Sequence, residues 1–222
     1  MNCVRAEVVY TGKKVVEDAY VLFDGQKMVG ISASKKGTLV GECAAVTPAF
    51  IDAHSHIGMH RAGEPGAESE TNEHLESIMA LADALDSLQM DDAALRESVE
   101  MGVLYSCIVP GSGNIIGGRS AVIRNYAADS TQALVARAGI KGAFGYNPMS
   151  VRSWKGTRPN TRMGALAILR RRLDEVRQKM EKQSKAKGAK KQEIAFSAEE
   201  EVLRDLLTGK ERLRAHVHKI DD

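Results

Sequence analysis

With 222 residues, 43% of them hydrophobic, the chain can bury a sizeable core as one large domain or two small ones, which excludes wholesale disorder. Its net charge of +2 traces to a basic stretch near residues 180–191, closely followed by the acidic run Glu199, Glu200 and Glu201. No aromatic residues interleave there, so a nucleic-acid groove is not expected, and no segment is apolar for long enough to span a bilayer.

Residues 3–46 alternate short apolar stretches, VVY at 8–10, YVLF at 20–23 and MVGI at 28–31, with polar turns such as Thr11-Gly12-Lys13-Lys14 and Asp24-Gly25. An Asp-Gly pair between two strand-like runs predicts a hairpin. Residues 1–46 therefore read as a small β segment that needs further strands to form an independent core. The next run, Ala49, Phe50 and Ile51, predicts a buried strand leading into Asp52, His54, Ser55 and His56. A polar loop follows to about Thr71, then a helix over about 72–88 and a second over 91–101, with Asp91 at its start and Gly102 at its end.

A strand is predicted at 103–110, opening into the glycine-rich loop 111–118, with further strands at 121–126 and 140–145. Residues 162–184 predict a helix with an apolar stripe of Met163, Leu166, Ile168, Leu169 and Leu173. Low-complexity residues 184–193 read as a mobile loop. A helix over about 198–208 stops near Gly209, and 213–220 predicts a final strand. Strands alternating with helices imply a parallel α/β sheet or barrel.

The three cysteines, Cys3, Cys43 and Cys107, lack metal-like spacing and sit among apolar neighbours, as buried thiols do. With no secretory signal pattern at the start, a cytoplasmic protein is expected.

Two His-x-His pairs carry the chemistry. Side chains alternate faces along a strand, so His54 and His56 point the same way about two rises of ~3.3 Å apart, and His216 and His218 do likewise. Neutral imidazoles suit Zn²⁺, and an open coordination position makes bound water a nucleophile near neutral pH. A bare pair can equally be a solvated strand end. Two pairs on separate strands are much less readily a coincidence. No G-x-S-x-G elbow surrounds Ser112, and the 111–118 loop fits neither a Walker A nor a dinucleotide frame.

The order PAFIDAHSHIG, GSGNIIGG, NP, TRMG and RAHVHKIDD resembles the amidohydrolase superfamily, in particular its imidazolonepropionase-like group. That resemblance implies a partial (β/α)8 TIM-like barrel over 47–222, preceded by a β-sandwich segment over 1–46. It also implies a divalent metal, zinc for preference, held by His54, His56 and His216. The function implied is metal-dependent hydrolysis of a cyclic-amide or other non-peptide C–N bond in a small-molecule substrate. His218, Lys219 or Asp221 would then either support the metal ligands from behind or face substrate. Three further residues are candidates for substrate contact: His74 at a predicted helix head, Asn114 in the glycine-rich loop, and Arg162, whose guanidinium suits a carboxylate. The loop's backbone N–H groups would face an anionic substrate. Each has a plainer reading, as a surface, loop-packing or helix-start residue. Tyr146 stands where the group tends to carry Glu, and a phenol is a weaker ligand at neutral pH.

A complete barrel takes about 250 residues, so the resemblance implies an N-terminal half, with the general-base aspartate outside the chain. An open half-barrel exposes edges and apolar faces and calls for a partner, either a C-terminal half chain or a second copy. The alternative is a non-catalytic half-barrel, an assembly subunit or a remnant.

Overall fold

The Asp24–Gly25 pair turns the chain as its composition predicts. Strands β1 (Asn2–Tyr10), β2 (Val15–Asp24) and β3 (Lys27–Ser32) form an antiparallel meander, with Asp24 opposite Lys27 and Gly25 at φ +57°. At the other end Thr11 closes the β1–β2 turn, its Oγ1 accepting from the amides of Lys13 and Lys14. Strand β4 (Thr38–Val46) returns parallel to β1, giving the order β3-β2-β1-β4. Ala6, Val9 and Ala19 form the buried centre, with Val16, Val21, Ile31 and Val46 packed around it. Cys3 is buried, but Cys43 is exposed on the edge strand β4, which corrects the expectation that all three thiols are buried.

These details come from a computed structural model that describes residues 1–149, 158–186 and 194–221. The chain divides into two units, Met1–Phe50 and Ile51–Asp222. The second is a mixed α/β unit built on a curled, half-barrel sheet. Its strands run in the order β5 (Phe50–Ser55), β6 (Val103–Ile108), β7 (Ile116–Arg124), β8 (Leu134–Ala143) and β9 (Leu213–His216).

The sheet is not uniformly parallel. Strands β6, β7 and β8 pair antiparallel, and β8 pairs parallel with β9. Connection length decides this. The links from β6 to β7 and from β7 to β8 are too short for the dozen or more residues a parallel crossover needs, and the second holds only the one-turn helix α2 (Ser130–Ala133). From β8 to β9 the chain runs through α3 (Arg162–Lys185) and α4 (Ala198–Leu207), long enough to cross over.

The helices pack on one face of this sheet. Ile140 of β8 is buried with Ile116, Val176, Val202 and Leu203, and Ile168, Leu169 and Leu173 of the predicted stripe pack against them. Met163, at the start of that stripe, is exposed. Ser197 caps α4 in a reciprocal box with Glu200. Part of the predicted mobile loop, 187–193, lies outside the described residues. Among the described residues no helix is long and apolar enough to cross a membrane.

Four local expectations are corrected. Helix α1 (Ala93–Glu100) is capped by Asp92 rather than Asp91, its carboxylate accepting from Ala94 N. Strand β5 is an edge rather than a buried strand, with Phe50 and Ile51 57% and 66% exposed. Strand β9 ends at His216, short of residue 220. Residues 72–88 form no helix but lie along β7 through isolated bridges, Ile78 to Ile116 and Asp83 to Arg119. The amides of Met79 and Ala84 donate to the carbonyls of Ile116 and Arg119. Short polar side chains favour this path, Asp83 accepting from Leu85 N and Glu73 from Leu75 N, because such local bonds compete with helical ones.

Candidate functional site

Strands β5 and β9 are opposite edges of the five-stranded sheet. Four spacings of ~4.8 Å would hold them roughly 19 Å apart in a flat sheet, yet the rings of His54 and His216 have centroids only 6.5 Å apart. The curl of the sheet brings them together. The residues just past each strand supply the other two rings: His56, after β5, lies 5.7 Å from His54, and His218, in the bend after β9, lies 4.6 Å from His216. The structure thus joins the two predicted His-x-His pairs into one cluster.

Each ring is held differently. Val109, which donates its amide to Ser55 O, accepts a 2.7 Å hydrogen bond from His56 Nδ1. A carbonyl can only accept, so His56 carries its proton on Nδ1 and keeps a free lone pair on Nε2. His216 Nε2 lies 3.3 Å from His218 Nε2. His54 Nε2 lies 3.4 Å from Nζ of Lys141, which also donates to Pro110 O at 3.0 Å.

Lys141 is the residue that sequence reading missed. It is 0% exposed, on β8, where alternation turns it away from the face on which Ile140 meets the helices. The available signal was a lone charge in the apolar, glycine-rich run Ala138-Gly139-Ile140-Lys141-Gly142-Ala143, since an unpaired lysine is rarely fully buried. Burial pushes its amine down to about 8. The same cause, burial, lowers His54, followed by repulsion from Lys141, His56 and His216. Burial likewise lowers His56 against the opposing pull of Val109, and lowers His216 ahead of repulsion from His218 and Lys141. All three are therefore shifted towards the neutral imidazole, the form that binds a metal.

Neutral imidazoles, one of them locked into the Nε2-ligating tautomer, suit a borderline divalent ion in kind and number. They do not form a finished coordination shell: among the described residues no group of three or more His, Cys, Asp or Glu side chains is arranged to hold an ion. The carboxylate nearest in sequence, Asp52, is spent on the backbone, accepting from His54 N.

The other predicted residues have varied surroundings. Asn114 is buried, and its Nδ2 donates to the carbonyls of Glu73 and Glu76, so its amide clamps the 72–88 segment. In the same loop the amides of Gly111 and Gly113 are taken by Thr71 O and Asn72 Oδ1, so these two N–H groups do not await an anion. His74 is exposed on an irregular segment rather than at a helix head. Arg162 opens α3 as expected and donates to Asp221 O. Tyr146 is exposed.

No family model matches the chain. Over 197 residues, 80% of its length, the chain is 27% identical to the amidohydrolase tasK of Hapsidospora irregularis, of which it covers 20%. The crystal structure of an amidohydrolase from Thermotoga maritima MSB8 matches 100% of the chain with a TM-score of 0.84 and 28% identity, the chain covering 59% of that protein. An N-acetyl-D-glucosamine-6-phosphate deacetylase from Mycobacterium smegmatis, at 13% identity and a TM-score of 0.28 over 49% of the chain, is too distant to inform fold or function. The chain thus spans a fifth of the curated relative and about three fifths of the first solved protein. By fold and by sequence likeness, the chain is similar to amidohydrolases and corresponds to part of that architecture.

Proposed function

We propose that the chain carries the histidine side of a metal-dependent amidohydrolase centre that hydrolyses a non-peptide C–N bond, in a cyclic amide or an acylated amine. The observation that carries this reading is the meeting of His54, His56 and His216 from opposite sheet edges around a buried lysine. A divalent ion, zinc for preference, held by these three imidazoles supplies Lewis acidity towards a carbonyl and lowers the pKa of water. His56 offers Nε2 because Val109 occupies its Nδ1. His54 lies beside Lys141, and its ring would exchange the contact of Nε2 with that amine for the ion. His216 would give up its contact with His218 to hold the ion, which would leave His218 to face substrate.

Among the described residues no carboxylate hydrogen-bonds to the rings of His54, His56 or His216. The chain covers 59% of the solved amidohydrolase it matches, and in this reading the proton acceptor comes from the polypeptide that completes the barrel. The exposed edges β5 and β9, with Ile51, Leu213 and Val217 at the surface, are where further strands would add. The supplier is a complementary half chain or a second copy.

Elemental analysis of the purified chain, alone and co-expressed with a complementary half, tests the reading. Near-stoichiometric metal is expected in the wild type and its loss in His54→Ala and His216→Ala, after which cyclic amides and acyl-amines are the substrates to screen. Equal metal content in wild type and both variants would remove the assignment.

A further inference from the structure

We infer that Asn72 is a positioning residue for the histidine cluster, acting through the backbone of residues 109–113. This inference rests on the function proposed above only where it concerns metal, and not where it concerns the ring of His56.

Two consecutive carbonyls at the end of β6 face the cluster: Val109 O holds His56 Nδ1, and Pro110 O holds Lys141 Nζ. Their aim depends on where the chain goes next, and the following residues are tied down by the 71–76 segment. Gly111 N donates to Thr71 O, and Gly113 N donates to Asn72 Oδ1 at 2.8 Å. Asn72 Nδ2 donates in turn to Thr71 Oγ1 at 3.1 Å, which fixes the carboxamide in its plane. A Cβ at Gly111 would run into that carboxamide, so the backbone lies directly against Asn72. Asn114 and Arg158 add to the same lattice by donating to Glu73 O, the first also to Glu76 O and the second also to Gly113 O.

Within this lattice, Asn72 is the side chain that both packs on Gly111 and accepts from Gly113. Truncating it leaves a half-buried amide without its acceptor and opens space beside a glycine, and both changes free residues 109–113 to rotate. The first casualty is the Val109 carbonyl, and with it the His56 tautomer. In metal sites such partners orient a ligand's ring and raise its basicity, and losing one typically costs 10–100-fold in affinity.

The test uses the full-length chain labelled with ¹⁵N, first in chelator and then titrated with Zn²⁺ alone. In the metal-free wild type, long-range ¹H–¹⁵N correlation is expected to show His56 as the Nδ1–H tautomer. In Asn72→Ala the same ring is expected to become a mixture, and Zn²⁺ affinity to fall by about 10–100-fold while His54 and His216 remain able to ligate. Asn72→Asp keeps an acceptor for Gly113 N and is expected to retain the Nδ1–H form, whether or not the alanine variant folds. Glu76→Ala, whose carbonyl contact to Asn114 is untouched, should leave both readouts as in the wild type.

A pure Nδ1–H tautomer in folded Asn72→Ala would overturn the inference, and so would loss of that form in Asn72→Asp. If no variant and no wild-type sample binds Zn²⁺, the proposed function fails while the tautomer still decides the role of Asn72.

Discussion

Lys141 Nζ stands 3.4 Å from His54 Nε2 although the two residues are 87 positions apart in the chain. The contact joins β8 to β5 and places a buried amine against an imidazole that is itself open to solvent. Charge on either group opposes charge on the other, and burial weighs chiefly on the lysine. At neutral pH the strain falls on the lysine, whose ammonium has to be kept in a site with one carbonyl and one imidazole for company.

Metal-free wild type should therefore gain stability in alkali relative to Lys141→Met. Below pH 8 the amine is protonated in folded and unfolded chains alike, and the burial penalty is constant. Between about 8 and the ordinary 10.5, only the unfolded chain keeps its proton, so stability climbs with pH. The full rise is on the order of 3 kcal/mol. Urea unfolding in chelator across this window checks it, read as the difference between wild type and Lys141→Met, which cancels the surface lysines. A difference that stays flat across the window would mean the amine is not penalised by its site.

Gly118 is expected to tolerate no side chain. It sits in β7 at φ +114°, and a Cβ there would run into the carbonyl of Ala82 on the segment that lies along the strand. Gly118→Ala should cost about 3 kcal/mol. Gly63, at φ +89° with open space around it, provides the comparison: Gly63→Ala should cost only the backbone term, about 1 kcal/mol. Equal losses in chemical denaturation would show that crowding against Ala82 contributes nothing.

Asp92 does two jobs with one oxygen, accepting from Ala94 N at the start of α1 and from Ala62 N in the loop after β5. Asp92→Ala should cost about 2 kcal/mol by removing a cap and leaving amides unpaired. Asp92→Asn, which keeps the accepting oxygen, should retain more than half of that stability. Thermal unfolding of the three proteins orders them, and an asparagine variant no better than alanine would assign the effect to charge instead.

The parts of the fold legible in the sequence are those set by short-range pattern. Asp24–Gly25 announces its hairpin, and His54 with His56 announces a shared strand face, because alternation is local. Residues 72–88 mislead for the opposite reason. Leu75, Ile78, Leu81, Leu85 and Leu88 recur at helical spacing, but the segment's amides find carbonyls on β7, and Leu75 and Leu81 stay exposed. Strand direction is not legible in the strands themselves because it follows from connection length. The role of Lys141 is not legible because its partners, His54 and Pro110, are brought to it by the curl of the sheet.

The cluster also has an order of arrival. As the polypeptide is made, His56 gains its carbonyl anchor once Val109 has emerged, and Lys141 reaches His54 when β8 pairs with β7. The third imidazole waits for His216, after both long helices have been synthesised and the β8–β9 crossover has closed. The three-histidine cluster is therefore complete only once β9 has been made and paired, whereas His54, His56 and Lys141 all lie ahead of the two long helices in the chain.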